Sequence, residues 1–130
     1  MEKIHKFNFA VAYADTDAFG IMYHARYIEI GERARSNWSR GMVIPDGDAG
    51  FVVRELNVKY MRPLLLNDEF VVETRPVKIG AASMTIEQKF VKDDNICAIM
   101  NITIAYLGGD MRPKAIPESI VNMLKNKKFI

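Results

Sequence analysis

Two carboxylates stand close together near the N-terminus, at Asp15 and Asp17, and Gly20 separates them from a helical pattern that begins at Tyr23 and His24. A carboxylate beside a carbonyl group can attack it, or can activate a water molecule that does so. The start of a helix offers backbone N–H groups without partners, which can stabilise negative charge that develops on a carbonyl oxygen. Together these groups predict a minimal site for acyl transfer.

A thioester is the substrate class that such a site suits best. Its thiol has a pKa near ~8.5 and leaves as a thiolate without a strong general acid. Other chemistries are poorly provided for, because the chain has no G-x-S-x-G pattern, no H-E-x-x-H pattern and no phosphate-binding glycine motif. His5 and His24 are too few and too far apart in sequence to indicate zinc, so we expect no metal site.

The same acids have a simpler interpretation. An aspartate before a helix often caps the first backbone N–H groups and stabilises the helix dipole. A lone histidine at a helix start is likewise often a hydrogen-bonded structural residue. On the residues alone, capping is the more common role for Asp15 and Asp17, and both interpretations stay open at this point.

The composition favours one globular domain spanning residues 1–130, with 49% hydrophobic and 26% charged residues. The formal charge is only +2 and is scattered, so we expect no nucleic-acid partner. No apolar run approaches the ~20 residues of a membrane span, and no signal peptide is evident. Cys97 is the only cysteine and cannot form an intramolecular disulfide, so we expect a cytoplasmic protein.

The elements that must position the acids follow from hydrophobic periodicity. Residues 4–13 have the aromatic and β-branched composition of a strand. From Tyr23 to Trp38 the apolar positions recur at helical spacing, and Gly31 within this helix predicts close packing against a sheet. Glu29 and Arg33 have the spacing of a helical ion pair.

Four more strands are predicted at about residues 50–62, 68–79, 82–92 and 95–107, with a short helix after Pro117. The separators are short enough to join antiparallel neighbours. This order predicts an α+β domain in which a five-stranded antiparallel sheet wraps around the central helix.

The segment DTDAFGIMYHARYIEIGERAR, residues 15–35, resembles the hot-dog-fold acyl-CoA thioesterases of the 4-hydroxybenzoyl-CoA thioesterase family, especially its Tol–Pal-associated branch. The resemblance continues into ELNVKYMRPLLLND, residues 55–68. It implies that Asp17 is the catalytic carboxylate, acting as nucleophile or general base. Tyr13, Tyr23 and His24 are then expected near it, and Asp15 in a supporting role.

The resemblance also implies the substrate, a small acyl-CoA with a short-chain or aromatic acyl group. Coenzyme A is then part of the substrate, and no separate cofactor is expected. Basic residues are expected where coenzyme A enters, and Lys59, Arg62 and Lys78 are the candidates, although an ordinary solvated strand charge is the better explanation for any one of them.

The family further implies homodimers with two sheets joined edge to edge and active sites at the interface, and often tetramers made of two such dimers. The alternative is a non-catalytic hot-dog protein that binds an acyl thioester or a protein partner and uses its acids only as a cap. A hot-dog dehydratase would place histidine in a different motif. The acyl group, and coenzyme A or acyl carrier protein as its carrier, stay open.

Overall fold

The computed structural model describes residues 3–130. Two helices and five strands make up its regular structure, in the predicted order. They are β1 (His5–Ala10), α1 (His24–Trp38), β2 (Gly50–Tyr60), β3 (Glu69–Ile79), β4 (Ser83–Lys92), β5 (Asn95–Leu107) and α2 (Glu118–Asn126).

The five strands form one sheet in the order β1-β3-β4-β5-β2, and every neighbouring pair is antiparallel. The predicted α+β class and the five-stranded antiparallel sheet are therefore confirmed. Asp93 and Asp94 join β4 to β5 with φ values of 48° and 63°, as a two-residue hairpin turn requires. The outer strands are β1 and β2, so one edge of each is unpaired within the chain.

Helix α1 packs against one face of the sheet, as its apolar stripe predicted. Tyr27, Ile30, Ala34 and Trp38 are all buried. At Gly31 an added Cβ would overlap the Met100 side chain and lie 3.0 Å from Gln88 Oε1, which confirms the predicted close packing. The missing side chain lets the middle of α1 rest directly on the sheet.

Three local predictions were wrong. Strand β1 ends at Ala10 rather than near residue 13, because Tyr13–Asp15 forms a single turn of 3₁₀ helix. Tyr23 precedes α1 instead of belonging to it, and its side chain is 45% exposed. The ion partner of Glu29 is Arg26, because the Arg33 guanidinium lies over the Phe9 ring, 5.6 Å from its centre.

Helix α2 contributes to a second cluster of buried apolar side chains. Ile120 and Leu124 are buried together with Trp38 and Tyr106, at the end of the sheet where α1 finishes. Within residues 3–130 no helix is long and apolar enough to cross a membrane. The opposite end of the sheet, where α1 begins, is the end that carries the acids.

Candidate active site

A tight turn holds Asp17. The Gly20 N–H donates to the Asp17 carbonyl at 3.1 Å, and the Asp17 N–H donates to the Ile21 carbonyl at 2.9 Å. Gly20 has φ +76°, a conformation that a residue with a Cβ adopts only under strain. The Asp17 Oδ1 atom accepts the Phe19 N–H at 2.8 Å. The turn therefore fixes the carboxylate through one oxygen only.

Backbone contacts fasten this turn to the loop after β2. Thr16 pairs with Met22, and Ile21 pairs with Leu65. The Met22 N–H also donates to the Leu64 carbonyl at 2.7 Å. Asp17 is thus carried by the main chain to the place where α1 begins and β2 ends.

One cavity of about 310 Å³ lies at this junction. Asp17 contributes to one wall, the first turn of α1 to a second, and the end of β2 with its following loop to a third. The residues that line it are Asp17, Ile21, Met22, His24, Tyr27, Tyr60, Met61, Arg62 and Pro63. A carboxylate and the start of a helix therefore share one small and mostly apolar space.

The start of α1 has backbone N–H groups without acceptors. Tyr23 is its N-cap and supplies no side-chain cap. The Tyr23 N–H donates to the Asp15 carbonyl at 2.8 Å and the Arg26 N–H to the Tyr23 carbonyl at 2.9 Å. Among residues 3–130, the amides of His24 and Ala25 have no acceptor. They are the unpaired donors that a helix N-terminus offers to negative charge.

The prediction that the acids cap this helix was wrong. Asp17 accepts from Phe19, and the Asp15 carboxylate accepts from the Ala12 N–H, so neither carboxylate accepts a backbone N–H of α1. The physical reason is the bridge between Thr16 and Met22, which turns the chain back on itself before α1 starts. The acids therefore cap turns upstream of the helix.

Asp15 is fully engaged in that upstream turn. One carboxylate oxygen accepts the Ala12 N–H at 2.9 Å, and the other lies 3.2 Å from Arg26 Nε. Arg26 also contacts the Glu29 carboxylate and the Ala14 carbonyl. With both oxygens occupied, Asp15 stabilises the segment that delivers Asp17.

Tyr60 ties β2 to the helix start. Its hydroxyl donates to the His24 carbonyl at 2.8 Å, and its ring meets the Tyr27 ring edge-on with 5.0 Å between centres. Burial raises the pKa of both Tyr27 and Tyr60, so both hydroxyls are protonated at neutral pH. Tyr60 thereby fixes the backbone next to the open amides.

The cavity brings together some of the predicted residues and leaves others outside. Asp17, His24 and Arg62 line it. Tyr13 is 83% exposed, and Tyr23 packs its ring against His24 with 4.4 Å between centres, but neither lines the cavity. The remaining candidates outside it are Asp15, Lys59 and Lys78.

The two lysines lie in different parts of the sheet. Lys59 is one residue from the cavity wall, opposite Ile99, with its side chain exposed. Lys78 lies on β3 and pairs with Thr85 on β4, and neither strand is adjacent to β2. Sequence analysis missed Tyr60, Met61 and Pro63 as wall residues, because nothing in the sequence at the end of β2 reveals that this segment meets the start of α1 at one cavity. Within residues 3–130, no group of three or more His, Cys, Asp or Glu side chains is placed to hold a metal ion.

An antiparallel five-stranded sheet wrapped around one helix is the hot-dog fold, and the site at the helix start lies where that fold brings a loop carboxylate to open amides. A sequence model of the thioesterase-like superfamily matches residues 11–124. The chain belongs to this superfamily.

Individual relatives agree with this membership. An acyl-CoA thioesterase YbgC from Haemophilus influenzae is 31% identical over 117 residues, which cover 85% of this chain and 86% of the relative. An acyl-CoA thioester hydrolase YbgC from Escherichia coli O6:H1 is 32% identical over 124 residues, covering 88% and 91%. A Thermus thermophilus thioesterase, crystallised with coenzyme A and zinc, superposes with a TM-score of 0.83 at 29% identity, covering 92% of this chain and 96% of that one.

Proposed function

We propose that this protein is an acyl-CoA thioesterase, with Asp17 as the carboxylate that drives hydrolysis. The observation that carries the proposal is the open oxygen of Asp17 in the same cavity as the first turn of α1. Membership of the thioesterase-like superfamily and the activities named for the two YbgC relatives support it.

The reaction needs two contributions from the site. The thioester carbonyl oxygen points at the open amides of His24 and Ala25, which stabilise the charge that forms on it. Asp17 either takes a proton from an attacking water or attacks the carbonyl itself, giving an anhydride that water then cleaves. The carbon–sulfur bond breaks, coenzyme A leaves as thiolate and takes a proton from solvent, and the acid is released.

The substrate class that we propose is a short-chain or aromatic acyl-CoA. A cavity of about 310 Å³ holds a short chain or a single ring, and the walls formed by Met22, Tyr27 and Met61 are apolar. Arg62 is an exposed residue at the same cavity, which supports a role for it in binding the pantetheine arm or a phosphate of coenzyme A. Coenzyme A is part of the substrate, and the two contributions above require no further cofactor.

We further propose a homodimer joined through the free edges of β2, alone or as half of a tetramer. Val53, Tyr60 and Met61 on and after this edge strand are exposed by 53%, 48% and 57%, so apolar side chains are exposed at several points along it. Pairing two copies of an edge strand satisfies its backbone groups and covers these side chains.

A cytoplasmic location fits the single buried Cys97, which needs no oxidising compartment.

The experiment is thiol release from a panel of short-chain, long-chain and aromatic acyl-CoAs, followed with a thiol reagent, with the oligomeric state measured on the same sample by light scattering. We expect turnover of short-chain or aromatic members by a folded oligomer. A folded oligomer that binds an acyl-CoA in calorimetry but releases no thiol from any member would contradict the proposal and favour a binding protein.

A further inference from the structure

A second cavity, of about 210 Å³, lies in the groove between the C-terminal half of α1 and the start of β2. Its inner walls are apolar and include Trp38, Phe51, Ile86 and Ile104. The α1 side supplies two ionisable groups, Arg35 and Glu32, and Arg35 is the deeper of the two because it is half-buried whereas Glu32 is exposed. The cavity is therefore an apolar slot with a cation in its wall.

Arg35 is anchored by one hydrogen bond and is incompletely paired. Its Nη1 donates to Gln88 Oε1 at 2.9 Å, and no carboxylate lies within ion-pair distance of it among the described residues. Burial lowers the pKa of Arg35, with only partial compensation from Glu32. A half-buried guanidinium has five N–H donors to satisfy, and one hydrogen bond leaves most of them available.

Gln88, the hydrogen-bond partner of Arg35, is itself held in place by other hydrogen bonds. The side chain of Gln88 is fully buried, and its Nε2 donates to the Gly31 carbonyl at 2.9 Å and to Thr74 Oγ1 at 3.0 Å. With both ends of the amide engaged, Gln88 cannot rotate to follow Arg35. The acceptor that anchors the guanidinium is therefore fixed, as the support of a binding group should be.

The proposed dimer places this second cavity beside the catalytic cavity of the other copy. An antiparallel pair of β2 strands has its longest ladder when the two-fold axis passes the middle of Gly50–Tyr60, at Glu55. Tyr60 of one protomer then lies opposite Gly50 of its partner, next to Phe51 and Val52. Tyr60 lines the catalytic cavity, and Phe51 and Val52 line the Arg35 cavity.

We propose that Arg35 of one protomer determines acyl specificity at the active site of the other, and that it selects acyl groups whose far end is a carboxylate. The substrates would be half-thioesters of short dicarboxylic acids: the thioester lies at Asp17, the methylene chain crosses the apolar walls, and the carboxylate meets the guanidinium. Arginine and carboxylate form a geometrically matched pair with two parallel hydrogen bonds. This inference rests on the proposed thioesterase function and deepens it.

The first test compares two acyl-CoAs of equal chain length, glutaryl-CoA and pentanoyl-CoA. The readout is the ratio of their kcat/KM values. Wild type should favour glutaryl-CoA, and Arg35→Met should reduce the ratio by about 10- to 100-fold, the range expected for a hydrogen bond to a charged group. Arg35→Lys should keep part of the preference, because it keeps the charge but not the planar fork.

Arg33→Met is the matched control, since it removes the same charge from the same helix at a residue that lies over Phe9 instead of in the groove. Its ratio should equal that of wild type. Thermal melts of all variants show whether Arg35→Met is folded, and a ratio of two rates on one preparation is insensitive to the folded fraction.

Mixed dimers test whether Arg35 acts across the interface. One protomer carries Asp17→Asn and the other Arg35→Met, each with its own affinity tag. If the site is shared, one of the two sites combines wild-type Asp17 with wild-type Arg35, and the wild-type preference for glutaryl-CoA returns at about half the activity. If Arg35 acts within its own protomer, the mixed dimer shows the lowered ratio of Arg35→Met.

The outcomes separate the two proposals. An unchanged ratio in Arg35→Met, or a lowered ratio in the mixed dimer, would overturn this inference and leave the thioesterase function standing. Absence of thiol release from both compounds, and from the whole acyl-CoA panel, would overturn the proposed function and this inference with it. A lowered ratio in Arg35→Met that is restored in the mixed dimer supports both.

Discussion

Asp17 and Asp48 both lie in hydrogen-bonded turns, but their carboxylates have different partners. Asp17 begins its turn, because its carbonyl accepts the Gly20 N–H, and Asp48 ends its turn, because its N–H donates to the Pro45 carbonyl at 3.2 Å. Asp48 uses both oxygens: Lys114 Nζ lies 2.7 Å from Oδ1, and the Tyr106 hydroxyl donates to Oδ2 at 2.7 Å. Asp17 uses only one, for the Phe19 N–H, and its other oxygen has no partner among the described residues.

The difference separates structural carboxylates from a chemically available one. Asp48 has a side chain only 6% exposed, and Asp68 likewise has both an amide and a lysine partner. The folded protein loses stability when such a carboxylate is altered, because the partners of the carboxylate are left unpaired. Asp17 has little pairing to lose and faces a cavity, so altering it should affect chemistry more than folding.

Asp48→Asn should produce the largest loss of stability among the acids. The neutral amide cannot serve as ion partner to Lys114, and we expect the melting temperature to fall by roughly 5–10 °C. The kcat/KM per folded molecule should stay at the wild-type level. Asp46→Asn, in the same loop and exposed, is the matched control for scanning calorimetry. Equal melting temperatures for the two variants would mean that the interactions of Asp48 with Lys114 and Tyr106 do not stabilise the fold.

The pH dependence of the melting temperature should show the contribution of Asp48 to stability. The hydrogen bond from Lys114, then that from Tyr106, holds the pKa of Asp48 below its usual value. The unfolded chain therefore binds a proton more readily than the folded one, so this stabilisation is complete above pH ~4 and is lost as the pH falls through the lower folded value. The difference in melting temperature between wild type and Asp48→Asn should be constant from pH 7 to about 4 and shrink below that. A difference that grows in acid would contradict this sign.

Asp15→Asn should give an intermediate result. It weakens the Arg26 contact and the bond to the Ala12 amide, at a cost of about 0.5–1 kcal/mol in the free energy of unfolding. Activity should fall by about two- to five-fold, because the segment carrying Asp17 loosens while the Asp15 carbonyl still holds the helix start. Glu29→Gln, which alters the exposed partner of the same arginine, should change neither quantity measurably. A loss of activity equal to that of Asp17→Asn would assign Asp15 a direct chemical role.

Tyr60→Phe should have the smallest effect. It removes the hydrogen bond to the His24 carbonyl and keeps the ring contact with Tyr27, so kcat/KM should fall by about threefold through slight movement of the open amides. Tyr60→Leu, which also loses the ring, should fall further. Steady-state kinetics on a short-chain acyl-CoA distinguishes the two, and identical values for both variants would show that the hydroxyl is the only contribution of Tyr60.

Much of the fold could be predicted because its signals are local. Strand alternation, the apolar stripe of α1 and the two aspartates between β4 and β5 each specify their own element, and Gly31 indicated the sheet beneath the helix. The ends of elements were less predictable, since Tyr13–Asp15 has no strong preference and takes its turn from the bridge between Thr16 and Met22.

The site was only partly predictable, because its walls come from distant segments. Asp17 and His24 could be found by their motif. Tyr60 and Met61 could not, since their contact with α1 depends on how the edge strand β2 ends. Nor could the sequence show which aspartate has an open oxygen, because Asp15 and Asp17 differ only in the partners that folding brings to them.

The measurement that tests this account most directly is thiol release by Asp17→Asn beside wild type, on the best acyl-CoA of the panel, at equal folded concentration determined by calorimetry. Asparagine keeps the size of the side chain and still accepts the Phe19 N–H but has no charged oxygen. The account predicts an unchanged melting temperature and a loss of kcat of about 10³-fold. A variant that melts like wild type and retains more than about a tenth of its activity would contradict the assignment of Asp17 as the catalytic carboxylate.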